Sequence, residues 1–272
     1  MGDRLRPLWD FDDLDASETR FRAQLEQETT EAGRAEVLTQ LARVESLRGR
    51  FELCDALLDE AEALDGATAR VLLERGRRDR SSGAPGAGLA QFERAFDQAR
   101  ASAEDVLAVD AAHMLAIVDD SELWTARAVE IAAPSDDPGV RYWLGPLYNN
   151  VGWSRYGAGD AAGALEAFEL ALASRERDDP RPDARESARY AVGKALRALG
   201  RAEEAAAALE KCVAWAAGAG VEDFYFHEEL AEDYAALGRD GDAREQACRA
   251  LELAADDEDP SRVARLRDLS TG

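Results

Sequence analysis

Small and apolar residues return along this chain in paired segments at i, i+3, i+4 and i+7, most clearly between Trp143 and Arg177. There, Tyr148, Val151, Gly152 and Arg155 mark the period of one helix, and Ala164, Phe168 and Ala171 that of the next. The break between them, Gly157-Ala158-Gly159-Asp160, offers glycine for the left-handed conformation that ends a helix, and Asp160 to cap its successor. The stretch predicts a helical hairpin.

The same pattern recurs. An early copy places Leu38, Leu41 and Ala42 on a first helix, Gly49 at the turn, and Cys54, Leu58 and Ala61 on a second. The next has Leu72, Gly76, Gly83, Gly88, Phe92 and Ala95, with Pro85 accepted in a first helical turn. A third copy is degenerate: its turn is shortened to Asp119-Asp120, without glycine, but Ala128 keeps the closing small position. Pro138 opens the fourth, and Pro146 is expected to kink or interrupt its first helix. A fifth aligns Val192, Gly193, Leu196, Gly200, Ala205, Leu209 and Cys212; a sixth aligns Leu230, Ala231, Tyr234, Gly238, Ala243, Ala247 and Ala250. The closing small residues Ala61, Ala95, Ala128, Ala171, Cys212 and Ala250 step by 34, 33, 43, 41 and 38. Before the first copy, Asp15 or Ser17 is expected to cap a helix running to about Glu28, with Trp9 and Phe11 buried against the first repeat. After the last, Pro260 to Leu269 predicts a polar capping helix.

The 34-residue step and the small-residue positions resemble the tetratricopeptide repeat. The segments WDFDDLDASETRFRAQLE, RVLLERGR, AVDAAHMLAIV, WLGPLYNNVGW and ARYAVGKALRALGR are more particularly similar to a group of bacterial tetratricopeptide proteins without an assigned biochemical function. The resemblance implies an all-α, right-handed superhelix of about six hairpins with capping helices at both ends. The expected divisions are a capping segment at 1–29, an array at 30–257, and a capping helix and tail at 258–272. Within the array the repeats fall at about 30–65, 67–102, 104–133, 137–178, 181–219 and 221–257.

Composition narrows the partners. Scarce β-branched runs favour helix over sheet, and 33 basic against 56 acidic residues give a net charge of -23. Such a chain repels nucleic acid and anionic membrane. All but two of the basic residues, Lys194 and Lys211, are arginine. Cys54, Cys212 and Cys248 form no C-x-x-C pair, so neither a disulfide framework nor a zinc site is expected, and all three are read as small hydrophobes at core or near-core positions. With no signal-like or membrane-length apolar run, the sequence predicts a cytoplasmic protein.

In the family, first helices line a concave groove. The resemblance turns inward Thr39, Arg43, Leu73, Arg77, Arg80, Asn149, Trp153, Tyr156, Tyr190, Lys194, Arg197, Glu228 and Glu232, with Asp110 and His113 from the third repeat. Five are basic and three acidic, so the groove is expected to be less acidic than the outside. Arginine donates two parallel hydrogen bonds to a carboxylate, so Arg43, Arg77, Arg80, Lys194 and Arg197 point to an acidic or C-terminal peptide; pairing with neighbouring Glu and Asp is the competing reading. Asn149 would hold the peptide backbone, and Trp153, Tyr156 and Tyr190 would give apolar contact. Asn150 matches one position of the family's chaperone-binding carboxylate clamp, but the lysine expected one helix earlier is absent.

Chemistry is sparse. His227 falls at a packing position, and His113 lies one turn from Asp110 without an identifiable nucleophile beside it. His227-Glu228-Glu229 lacks the second histidine of H-E-x-x-H, and no glycine-rich loop follows a strand, so no metal, cofactor or catalytic residue is expected. The sequence therefore favours a non-catalytic scaffold for protein or peptide. A regulatory sensor of a signalling peptide or small molecule, and a self-assembling module, stand as alternatives.

Overall fold

The computed structural model describes residues 3–119, 121–255 and 258–271 and contains no strand among them. A single 3-10 turn, Arg6–Leu8, precedes α1 (Leu14–Gln27). Helical hairpins follow: α2 (Glu31–Leu47) with α3 (Phe51–Glu62), α4 (Thr68–Ser81) with α5 (Pro85–Ala101), and α6 (Asp105–Val118) with α7 (Ser121–Ala132). After a one-turn α8 (Pro138–Arg141) come α9 (Leu144–Gly157) with α10 (Ala161–Asp178), α11 (Pro182–Ala198) with α12 (Ala202–Ala219), and α13 (Phe224–Ala236) with α14 (Asp240–Leu253). The final α15 (Pro260–Thr271) packs on α14 and buries Leu266 completely. The chain divides between Trp143 and Leu144 into two compact units.

The punctuation follows backbone chemistry. Gly49, Gly83, Gly159, Gly200 and Gly238 end first helices with φ between 69° and 89°, the region a side chain disfavours. Where glycine is missing, in the third hairpin, α6 ends at Val118 and Asp119 accepts a hydrogen bond from Trp124 Nε1 at 3.0 Å; Asp120, the rest of that expected turn, lies outside the described residues. The Gly163 amide donates to Asp160 Oδ1 at 2.9 Å, capping α10 as its sequence suggested.

One local expectation is corrected and one is met. Asp13, not Asp15 or Ser17, caps α1 by accepting from the Ala16 amide at 2.8 Å. Ser17 is instead buried and exchanges hydrogen bonds with the Asp10 backbone at 2.7 and 2.8 Å, tying down the preceding loop. Pro146 interrupts the helix that Pro138 opens, as expected: the run breaks at Tyr142 and Trp143, where the ring would meet the carbonyl four residues back, and the proline sits in the first turn of α9, where an amide hydrogen has no helical partner.

The six closing residues Ala61, Ala95, Ala128, Ala171, Cys212 and Ala250 are all at most 1% exposed. At three first helices a glycine brings the hairpin partner into contact: a methyl at Gly76 would lie 2.5 Å from Phe92, and one at Gly152 or Gly193 would overlap Phe168 or Leu209. Phe92 and Phe168 are fully buried by this interlock. Cys54 and Cys212 lie in the core, where burial pushes each thiol up to about 12, but Cys248 is exposed, contrary to its expected core or near-core position.

Candidate functional site

The face that the first helices leave uncovered by their hairpin partners carries a repeating arrangement of charges in each unit. In the first unit, positions one helical turn apart place Gln40 and Arg43 on α2, Glu74 and Arg77 on α4, and Asp110 and His113 on α6. Arg77 donates to both Glu74 and Asp110, and Arg43 lies 3.9 Å from Glu74. Glu74 is 2% exposed and Asp110 8% exposed, so these are largely desolvated pairs. Burial alone would lower the Arg77 pKa, yet Asp110 and Glu74 hold it above the ordinary arginine value. Burial opposes ionisation of Asp110 too, but Arg77 and Arg43 hold its carboxyl below the usual aspartate range. His113 is half-buried, with its ring 5.2 Å from that of Trp143.

In the second unit, Lys194 Nζ donates to Glu229 at 2.5 Å, and Arg197 donates to the same carboxylate through Nε at 3.0 Å and Nη2 at 2.5 Å. Glu229 is buried, which would raise its pKa, but Arg197 and Lys194 bring it below the usual range. Asp233, one turn on, differs. It is 1% exposed, neither carboxylate oxygen has a hydrogen-bond partner among the described residues, and Arg197 Nε approaches only to 3.7 Å. Burial pushes its carboxyl up to about 7.

Thus Arg43, Arg77, Lys194 and Arg197 all stand beside carboxylates of the following first helix, and the expected basic excess is corrected. Arg80 is exposed, with no ion pair shown to it among the described residues. Thr39 and Leu73 are buried rather than open to a groove. Glu228 is buried as well and paired by Arg262 of α15 at 2.7 Å, and Glu232 is paired by Arg265 at 3.2 Å. The sequence reading passed over Glu74, Glu229 and Asp233, because a register with one inward residue per turn assigns their positions to packing. A signal did exist: Arg43/Glu74, Arg77/Asp110 and Lys194/Glu229 are opposite charges about one repeat length apart.

The aromatic residues present a different surface. Trp153 on α9 is 36% exposed, its ring edge-on to Phe168 at 5.0 Å and to Tyr156 at 5.7 Å. Asn149, one turn earlier, Asn150 beside it, and Tyr156 are half-buried. Tyr190 on α11 is half-buried against Phe226 at 5.8 Å, with Lys194 Nζ 5.6 Å from its ring centroid. His227 is half-buried and its Nδ1 lies 2.7 Å from Gln246 Oε1, a structural contact of the kind its packing position suggested. Among the described residues no cluster of three or more His, Cys, Asp or Glu is placed to hold a metal ion, and no helix is long and apolar enough to cross a membrane.

No family model and no curated protein matches the chain. Solved structures do. PilF of Pseudomonas aeruginosa is 13% identical with a TM-score of 0.64, over 86% of this chain and 96% of that one. A chain of the APC/C hetero-tetramer Cut9-Hcn1 is 14% identical with a TM-score of 0.61, over 95% of this chain and 47% of that one. A signal-transduction ATPase of the STAND class with a tetratricopeptide repeat sensor, from Pyrococcus horikoshii, is 14% identical with a TM-score of 0.62, over 97% and 42%. The chain spans less than half the length of the latter two. Glycine-marked turns, interlocked hairpins and these likenesses together give the class: an all-α protein with a tetratricopeptide-like repeat fold.

Proposed function

We propose that the protein is a non-catalytic scaffold that binds a segment of another protein across the first-helix face of its second unit. The observation that carries this reading is the indole of Trp153, left 36% exposed while its ring stands edge-on to Phe168 and Tyr156, with Asn149 one turn away. An amphipathic ring held by neighbours costs little further entropy to bind, and an amide both donates to and accepts from an extended backbone. A segment with acidic residues fits best: after pairing with Glu229, Arg197 still keeps 32% of its side chain in solvent.

Affinity capture with mass spectrometry identifies the partner, and titration with the purified partner tests the site. Trp153→Ala with Tyr156→Ala is expected to weaken binding at least tenfold while the circular dichroism spectrum stays helical. Unchanged affinity in the folded double variant would sink the proposal. A second reading, a sensor of a peptide or small molecule, draws on the likeness to the ATPase whose repeats are described as a sensor. A thermal-shift screen separates them, since a ligand of the native state raises its melting temperature as concentration exceeds Kd.

A further inference from the structure

The two cations that α11 extends toward α13 give their hydrogen bonds to one carboxylate. Lys194 Nζ and the Nε and Nη2 of Arg197 all reach Glu229. Asp233 lies one turn further along α13 and receives none, although Arg197 Nε stands 3.7 Å from its Oδ1. It is 1% exposed, so bulk water does not replace the missing donors. Glu74 of the first unit has one buried, unbonded oxygen and accepts from Arg77 through the other, whereas both oxygens of Asp233 are buried and unbonded among the described residues.

A carboxyl group buried in this way has two routes to lower free energy. It can hold a proton, which removes the charge that burial penalises, or it can draw in the nearest cation. The observed arrangement is the first: Arg197 is turned to Glu229, and burial accordingly pushes the Asp233 carboxyl up to about 7. The second needs only a small movement. Arg197 Nε already lies between 3.0 Å from Glu229 and 3.7 Å from Asp233, and Glu229 keeps Lys194 if the guanidinium turns.

The remaining charges around α13 are engaged elsewhere. This helix packs against α11, α12, α14 and α15. On α13 itself, Glu229 and Glu232 disfavour a charged Asp233, and Glu232 is paired by Arg265 of α15 at 3.2 Å. Arg262 of α15 donates to Glu228 at 2.7 Å. From α12, Glu210 accepts from Tyr234 Oη at 2.9 Å, and just before α14 Arg239 donates to Asp242 at 2.7 Å. Arg197 is thus the cation within ion-pair reach of Asp233.

We propose that the Asp233 proton sets whether Arg197 is available to an acidic segment. With Asp233 protonated, Lys194 and Arg197 against Glu229 leave one positive charge in excess, at a guanidinium that keeps 32% of its side chain in solvent. With Asp233 ionised, the guanidinium turns inward and the excess is cancelled. The grip of the second unit's face on a carboxylate-bearing segment therefore strengthens as the pH falls through neutrality. This regulation rests on the reading of that face as a binding surface for an acidic segment.

NMR of the full chain without ligand, from about pH 5.5 to 8.5, follows the Arg197 Nε–Hε and Asp233 Cγ signals. Both are expected to titrate with a shared midpoint of about 7, and the Arg197 signal of Asp233→Asn is expected to stay flat. A flat Arg197 signal in the wild type, or the same titration in the variant, overturns the switch. Separate midpoints for the two groups in the wild type overturn it even if the variant fails to fold. Tetraglutamate, whose carboxylates stay ionised throughout this range, is then titrated into both proteins at constant ionic strength. The wild type is expected to bind it at least threefold more tightly at the acid end than at the alkaline end, and Asp233→Asn equally at both. The same ratio in both proteins overturns the coupling. No binding at either pH, with Arg197 still titrating, overturns the acidic-segment reading and the regulation with it. Binding with a flat Arg197 signal leaves that reading intact and removes the switch.

Discussion

The first-helix faces of the two units use similar charges differently. In the first unit Arg77 donates to both Glu74 and Asp110, while Arg43 stands 3.9 Å from Glu74 with no hydrogen bond to it among the described residues. In the second, two cations converge on Glu229 while Asp233 is left without a hydrogen bond, and an indole at the other end stays in solvent. A closed network gives stability and register, since every buried charge has its counterpart; an unevenly filled one leaves groups whose free energy a ligand or a proton changes. The same repeat thus carries two patterns of charge pairing that differ by one or two side chains, with a buried carboxylate oxygen left unbonded in each, on Glu74 in the first unit and on Asp233 in the second.

The hairpin cores set the scale for that comparison, because they do not differ in kind. Phe92→Ala and Phe168→Ala are each expected to cost about 3–5 kcal/mol in denaturant unfolding, since each empties a fully buried ring site opposite a glycine that has no side chain to fill it. A loss in only one of them would show that the interlock is not shared.

Next in size is Arg77→Ala, which strands Asp110 and Glu74 and is expected to cost about 3–5 kcal/mol. Lys194→Ala leaves Glu229 with Arg197 and should cost on the order of 1.5 kcal/mol. Equal losses would erase the distinction between carboxylates that share one hydrogen-bonding cation and a carboxylate that has two.

Asp233 sharpens the comparison through pH. Its folded value of about 7 lies above the ordinary 3.8, so the folded state holds this proton more tightly than the unfolded chain. The stability it adds is complete below about 3.8 and is lost as the pH rises through about 7. Asp110 and Glu229 act in the opposite sense, their contribution being lost only as the pH falls below the ordinary carboxylate values. Between pH 5 and 7 Asp233 contributes a decline in the same sense as Glu104, whose carboxyl burial also raises, and Asp233→Asn is expected to reduce that decline and to raise stability at pH 8 by about 1–3 kcal/mol. A pH profile of urea midpoints for both proteins checks this. The smallest effect is that of Trp153→Ala, about 1 kcal/mol from lost edge-to-face contacts, measurable as a small shift in melting temperature.

What the sequence determined by itself was the local and periodic part of this protein. Glycine marks turns because only it enters positive φ cheaply, aspartate caps α10, and alanine or cysteine recurs at the buried closing position of each second helix. Each of these is a property of a residue and its near neighbours, so the hairpins, their order and the fully buried closing positions from Ala61 to Ala250 were legible. Asp13 displaced Asp15 and Ser17 as the cap of α1 because Ser17 was drawn to a backbone seven residues away, a contact no local pattern specifies. The tertiary structure alone decided which charges meet. Arg77 and Asp110, Lys194 and Glu229, and Asp3 and Arg70 are 33, 35 and 67 positions apart, and a carboxylate one residue off the expected inward row turns a basic face into a paired one. Pairing across repeats depends on where packing sets the next helix, and side-chain burial then fixes how much each charge is worth.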